Sequence, residues 1–186
     1  MKLNVSIPTP EHTARLARAL AALWLEQRRR SVPGQAEAGL PWVLLLQGGL
    51  GAGKTTLTRF LVESLPGGER AEVSSPSFTL CNSYACELPV LHFDLYRLAP
   101  GQWDDDLAEA LEMAENGDLL LIIEWPERIS NSLLPAVFLH LNLLTETDGG
   151  RGAVFSACND KRGPEALRRI AAEARAAGLR AEGLSA

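Results

Sequence analysis

An open α/β sheet built around a phosphate-binding loop is the fold this sequence predicts, on three observations. Short apolar runs alternate with helix-like segments. A glycine-rich stretch, Gly48 to Thr55, joins one such run to one such helix, and two later apolar runs each end in an acidic residue. Alternation of this kind predicts a mostly parallel central sheet flanked by helices, an α/β, P-loop NTPase-like architecture. At 186 residues the chain is expected to form a single domain, 1–186, able to bury a core without metal or disulfide staples. Hydrophobic residues at 46% and charged residues at 22% exclude a disordered chain, a collagen-like chain and a coiled-coil rod. The net charge of −5 argues against a bulk surface made for nucleic acid.

Residues 1–40 read as an N-terminal helix and connector. Thr9 supplies an N-cap and Pro10 takes the first helical position, where its missing N–H costs nothing. Leu16, Leu20, Leu23 and Trp24 recur at helical spacing, and Arg28, Arg29 and Arg30 suit the negative end of the helix dipole. The Pro-, Gly- and Ala-rich segment 31–41 is a connector. Trp42 to Leu46 is a continuous apolar run, as in a strand covered on both faces. Thr55 to Leu65 is helix-like, and strand-like segments follow at 78–84, 90–95, 119–124, 136–144 and 153–157. Asp104 to Glu115 has helical composition, and 158–186 reads as a helical tail with its helix from Pro164 to about Ala177. The start carries no apolar stretch of signal-peptide length, and no run approaches the ~18 apolar residues of a membrane span. Cys81, Cys86 and Cys158 match no metal-ligand spacing. The expectation is a cytoplasmic protein with reduced thiols and no membrane contact.

Gly48-Gly49-Leu50-Gly51-Ala52-Gly53-Lys54-Thr55 fits G-x-x-x-x-G-K-[ST] in the strand-to-helix context that gives the pattern its meaning. Glycines let the backbone curl so that successive N–H groups point at phosphate oxygens, and the following helix adds its positive end. Lys54 is placed to reach between the β- and γ-phosphates, the Thr55 hydroxyl to ligate Mg²⁺, and Thr56 to add an α-phosphate contact. Such a loop needs acids at neighbouring strand ends. Val90-Leu91-His92-Phe93-Asp94 and Leu119-Leu120-Leu121-Ile122-Ile123-Glu124 each supply one, and either Asp94 or Glu124 fits the metal or water-orienting role. His92 alternates with apolar positions and is assigned a structural place without chemistry. Arg97 and Arg151 are candidate phosphate or partner contacts, with an ordinary surface arginine as the alternative for each. No N-K-x-D segment appears, since Asn159-Asp160-Lys161-Arg162 has the wrong order, which tilts the base towards adenine.

The phosphate loop with Ser75-Pro76-Ser77-Phe78-Thr79-Leu80, His92-Phe93-Asp94-Leu95-Tyr96-Arg97-Leu98 and Ile123-Glu124-Trp125-Pro126-Glu127 resembles the TsaE family in order and spacing, over about residues 4–157. The resemblance implies an ATPase of bacterial threonylcarbamoyladenosine synthesis at position 37 of tRNA. It would bind ATP and Mg²⁺, hydrolyse slowly, and support a TsaB/TsaD-type transferase complex, meeting tRNA through that complex. Carried over by motif, the nucleotide contacts are Leu50, Gly51, Ala52, Gly53, Lys54 and Thr55. Thr55 and Glu124 become the Mg²⁺-associated pair, and Asp94 an acid needed for nucleotide chemistry. Ser75-Pro76-Ser77 becomes a switch-like loop near the γ-phosphate, Gly150-Arg151 a step beside the nucleotide, and Thr9 to Glu11 a lining for the base. The chain departs from the family at Gly49, where Asp is usual, at Ser77, where Thr is usual, and at Ala110, where Gly is common; its 31–41 connector is also longer.

Two other classes fit a P-loop. A small-molecule or nucleoside kinase needs a lid, usually arginine-bearing, and no arginine-rich lid lies between Glu127 and Pro135. A nucleotide-dependent assembly module needs binding alone, with hydrolysis incidental.

Overall fold

Leu120 to Ile123 are four fully buried apolar residues in a row, and Val43 to Leu46 repeat the pattern. Runs of this kind belong in the middle of a sheet with helices on both faces. That is where the computed structural model of the protein, which describes residues 1–30, 39–99, 105–129, 134–145, 150–157 and 162–184, places them. In chain order the elements are β1 (Lys2–Ser6), α1 (Pro10–Arg30), β2 (Val43–Gln47), α2 (Lys54–Glu63), β3 (Cys81–Tyr84), β4 (Val90–Asp94), α3 (Asp105–Glu115), β5 (Leu120–Glu124), β6 (Leu139–Thr145), β7 (Arg151–Ala157), α4 (Arg162–Ala176) and β8 (Ala181–Glu182). The eight strands form one sheet in the order β3-β4-β5-β2-β6-β7-β1-β8.

The expected α/β class holds, and the expected parallel arrangement is the centre of the sheet. β4, β5, β2 and β6 run parallel, whereas β3 at one edge and β7, β1 and β8 at the other pair antiparallel. Connection length explains the difference: β4 to β5 crosses through α3, but β3–β4 and β6–β7 are joined by short links that permit only antiparallel return. Two strands have no counterpart among the expected elements. β1 lies inside the segment read as helix and connector, with only Leu3 and Val5 turned inward, and β8 closes the segment read as a helical tail. β1 offers only two inward residues and β8 is two residues long, so neither announces itself, and each is held by a distant partner.

α1 begins as expected, with the Thr9 hydroxyl accepting the His12 N–H at 3.4 Å. Helices α1, α2 and α4 cover one face through Leu16, Leu20, Leu57, Leu61, Leu167 and Ile170. Helix α3 covers the other through Leu107, Ala110, Leu111 and Ala114, against Val43, Leu45, Phe93 and Ile123. Fully burying a leucine contributes roughly 1.5–3 kcal/mol, so these layers hold the scaffold rigid beneath the site. Among the described residues no helix is long and apolar enough to cross a membrane. Cys158, Asn159 to Lys161, Asp104, most of the 31–41 connector and residues 130–133 of the segment without an arginine-rich lid lie outside the described residues.

His140 on β6 gives the fold a pH dependence. It is half-buried, with Nδ1 3.4 Å from the Ser156 hydroxyl on β7. Burial pushes its pKa below the ordinary 6.5, Glu127 opposes that shift and Lys2 adds to it. The unfolded chain therefore takes up a proton more readily than the folded one, so stability is complete above pH ~6.5 and declines as pH falls towards the folded pKa. His140→Gln is expected to flatten the fall in melting temperature below that pH. Equal slopes for the two proteins in a melting series would contradict it.

Candidate functional site

The parallel register aligns the site. Leu46 at the end of β2 pairs with Glu124 at the end of β5, and Glu124 pairs with Asp94 at the end of β4. Three adjacent strands thus finish in one row, at the carboxyl edge where open α/β sheets bind ligands. The glycine-rich loop leaves β2 at this edge and delivers α2. Gly48 takes φ 147°, and a Cβ there would lie 2.7 Å from the Leu143 carbonyl oxygen, so the position admits no side chain. Gly53, in the left-handed region at φ 103°, is the N-cap of α2 and provides no side-chain cap. The first-turn N–H groups of α2 have no partners within the helix and carry its positive end, which makes this turn an anion seat.

A cleft of about 350 Å³ opens over the loop, lined by Leu50, Gly51, Gly53, Lys54, Thr55 and Thr56 on one side and by Ser75, Ser77, Asp94, Tyr96, Arg97, Glu124 and Trp125 on the other. Ala52 is buried under the loop. The sequence-predicted residues Leu50 to Thr56, Asp94 and Glu124 are therefore brought together. Arg151 does not line the cleft but comes near the loop, its Nη1 3.8 Å from the position of a Gly53 Cβ. Thr9, Pro10 and Glu11 do not line the cleft; they begin α1. A Cβ at Gly49 meets nothing within 4 Å, so a side chain such as the aspartate usual in the resembling family can leave the backbone there without a clash.

Lys54 is 5% exposed. Its Nζ donates to the carbonyl oxygens of Gly48 at 2.8 Å and Gly49 at 3.0 Å, and lies 3.9 Å from the centre of the Trp125 ring. Burial draws the ammonium pKa below the ordinary lysine value, against the carboxylates of Glu124, Asp94 and Glu127, which raise it. Thr55 Oγ1 donates to Glu124 Oε1 at 2.8 Å. Asp94 is held differently: Oδ2 accepts from the Ser75 hydroxyl and Oδ1 accepts the Tyr96 N–H at 3.0 Å. The two acids thus divide. Glu124 faces the helix that carries the phosphate loop, and Asp94 ties down the Ser75–Ser77 segment.

Sequence reasoning assigned no chemical role to Trp125, Phe78 or His92, and left Arg97 open between a phosphate or partner contact and an ordinary surface arginine. Trp125 takes a left-handed backbone, φ 60° and ψ 51°, which costs a non-glycine residue about 1–2 kcal/mol. Its N–H donates to Leu46 at 3.2 Å, its carbonyl accepts the Arg128 N–H at 3.1 Å, and Tyr96 meets its ring at 5.0 Å, which together hold the indole against Lys54. Arg97 lays its guanidinium 3.9 Å from the centre of the Phe78 ring, and Phe78 itself is 83% exposed. His92, assigned no chemistry on sequence, is completely buried and 2.9 Å from Glu124 Oε1 through Nε2. The alternation that made it look structural also puts it one row beneath Asp94 on the same face.

A parallel-centred sheet with a glycine-rich loop curled over two strand-end acids defines a P-loop NTPase-like fold. Residues 7–153 match the family model described as threonylcarbamoyl adenosine biosynthesis protein TsaE, and the chain belongs to the TsaE family. Relatives named tRNA threonylcarbamoyladenosine biosynthesis protein TsaE include one from Bacillus subtilis, 32% identical over 82% of this chain and 84% of the relative. Another, from Synechocystis sp., is 37% identical over 57% of this chain and 64% of its own length, so the chain spans just under two thirds of that relative. Among solved structures, the crystal structure of YdiB from Bacillus subtilis superposes with a TM-score of 0.62 at 26% identity, covering 91% of this chain and 94% of the other.

Proposed function

We propose that this protein is an ATP-binding, slowly hydrolysing ATPase that supports a TsaB/TsaD-type transferase complex in forming N6-threonylcarbamoyladenosine at position 37 of tRNA. The observation that carries the reading is the Thr55–Glu124 contact of 2.8 Å, which sets a hydroxyl and a carboxylate side by side at the start of α2. Family membership supplies the pathway. In this reading the loop N–H groups and the α2 N-terminus hold the phosphates, and Lys54 moves its ammonium from the Gly48 and Gly49 carbonyls to the β- and γ-phosphate oxygens.

The donor set fits Mg²⁺ only as a shared ion. Among the described residues no group of three or more His, Cys, Asp or Glu side chains is placed to hold a metal by itself. A hydroxyl and one carboxylate are the hard oxygen donors that Mg²⁺ takes from protein when phosphate oxygens and water complete its shell. Thr55 and Glu124 would hold it, and bound there it would neutralise charge developing on the transferring phosphoryl group. Asp94 is bonded to Ser75; in this reading it would hold the Ser75–Ser77 segment beside the γ-phosphate, where a water for in-line attack would be oriented.

Among the described residues Arg97 lines the cleft with its guanidinium resting on Phe78, and Arg151 comes near the loop at Gly53; in this reading neither is committed to the transferring phosphate. An arginine supplied at that point is worth about 10³–10⁵ in rate in related NTPases. Steady-state hydrolysis by the isolated protein is therefore expected to be slow, and addition of the transferase proteins to raise it by about tenfold or more. Fast isolated turnover, indifferent to those proteins, would overturn the reading.

A further inference from the structure

We propose that His92 is a positioning residue for Glu124, holding Oε1 from within the sheet so that Oε2 is left as the atom available to a divalent cation. The proposal rests on the nucleotide and Mg²⁺ reading above and extends it to a residue beyond the phosphate loop. β4 and β5 are paired in parallel with His92 opposite Ile122 and Asp94 opposite Glu124, so His92 reaches Glu124 diagonally, from one row deeper. Glu124 is 2% exposed, and a carboxylate removed from water to that degree is tolerated when donors meet it. Two do, Thr55 Oγ1 at 2.8 Å and His92 Nε2 at 2.9 Å, and both bond Oε1. Among the described residues Oε2 accepts no hydrogen bond, yet it is not a sealed atom, since His92 Nδ1 is the buried side-chain atom lacking a partner.

That orphaned nitrogen is informative. A histidine satisfying the core would bond through both nitrogens. Here Nδ1 has no partner among the described residues, the ring's hydrogen bond is directed at Glu124, and a carboxylate acceptor calls for the N–H on Nε2. Tyr84 from β3 stacks against the ring at 6.5 Å and 29°, and its hydroxyl accepts from Asn82 Nδ2 at 3.4 Å. The two donors to Oε1 also differ in kind. Thr55 rides on α2, and its hydroxyl is the group offered to the cation, whereas His92 belongs to the sheet and keeps its bond whichever way the hydroxyl turns. Outer partners of this sort orient ligating groups, and losing one typically costs 10–100-fold in metal affinity.

The test measures metal and nucleotide separately. Mn²⁺ serves as the probe, titrated by electron paramagnetic resonance in the presence of ADP, and ADP binding is measured by calorimetry in EDTA. His92→Phe keeps a flat ring against Tyr84 and removes the donor. It is expected to weaken Mn²⁺ binding by about 10–100-fold while ADP affinity in EDTA stays within about twofold. His92→Gln, whose amide nitrogen reaches the Nε2 position, is expected to restore most of the loss. His92→Asn, whose amide reaches only the Nδ1 position, is expected to behave like His92→Phe and takes its place if that variant does not fold. Unchanged Mn²⁺ binding in the donor-free variant, or equal loss in His92→Gln, would overturn the proposal alone. Wild-type protein that binds ADP but no Mn²⁺ with it would overturn the metal reading on which the proposal stands, and the proposal with it.

Discussion

Replacing Lys54 by methionine is expected to cut stabilisation by nucleotide sharply while leaving the ligand-free fold as stable as before or more stable. The two effects have opposite origins in the same side chain. Without ligand the ammonium is nearly enclosed, bonded to the Gly48 and Gly49 carbonyls and resting on Trp125. Burial outweighs the pull of the Glu124, Asp94 and Glu127 carboxylates and lowers its pKa, so the charged form is less favourable in the folded chain than in the unfolded one. The sign follows: the unfolded chain holds this proton more tightly, and the ammonium subtracts from stability wherever it is charged in the fold. A methionine of similar reach removes that penalty, while the two carbonyls lose a donor, which sets the balance near zero or slightly favourable. Towards phosphate the ammonium is the loop's single mobile cation, and charge-assisted bonds to phosphate are the strong kind. Their loss is expected to weaken Mg·ATP binding by about 100-fold, or ~2.7 kcal/mol. A thermal-shift series in ATP and Mg²⁺ reads both quantities, since stabilisation grows with ligand concentration over its dissociation constant. A Lys54→Met protein with the wild-type ATP-induced shift would remove the phosphate loop from the argument.

What sequence alone delivered was the part written in local pattern. The loop from Gly48 to Thr55 is contiguous, its residue types follow from the phosphate geometry, and the flanking strand and helix are strongly patterned. Asp94 and Glu124 were legible because each ends an apolar run, and the parallel register then places both in one row with Leu46. The division of labour between them was not legible. It depends on which acid faces α2 and which faces Ser75, and those are long-range contacts that no spacing encodes. β1 escaped for a related reason: two inward residues make a strand only when β7 supplies the pairing. Histidine is a common core residue, so His92 carried no signal until its diagonal reach to Glu124 was visible. Trp125 sits in an unusual backbone conformation that sequence does not announce for an aromatic residue, and its role against Lys54 appears only with that conformation.

Glu124→Gln is expected to separate binding from turnover. Glutamine matches the shape of glutamate, and its carbonyl oxygen can accept both the Thr55 hydroxyl and the His92 Nε2–H that Oε1 accepts now. The fold and the loop should therefore persist, and what disappears is one negative charge at the cleft floor. Without metal, ATP affinity is expected to hold or rise, because a triphosphate no longer faces a buried carboxylate. With Mg²⁺, turnover is expected to fall by about 10²–10³-fold, the scale on which removing one preorganised electrostatic partner of a transition state is felt. Single-turnover hydrolysis and calorimetric ATP binding on the same preparation report the two halves. Parallel loss of binding and turnover would mean that Glu124 serves the loop's structure and not its chemistry. Complementation with the same variant then decides between an ATPase and a nucleotide-dependent assembly module. If modified tRNA is still made when hydrolysis is gone, ATP occupancy of the cleft is the signal the transferase complex reads. If modification stops while ATP still binds, the γ-phosphate must leave for the complex to turn over, and the Thr55–Glu124 pair is where that step is controlled.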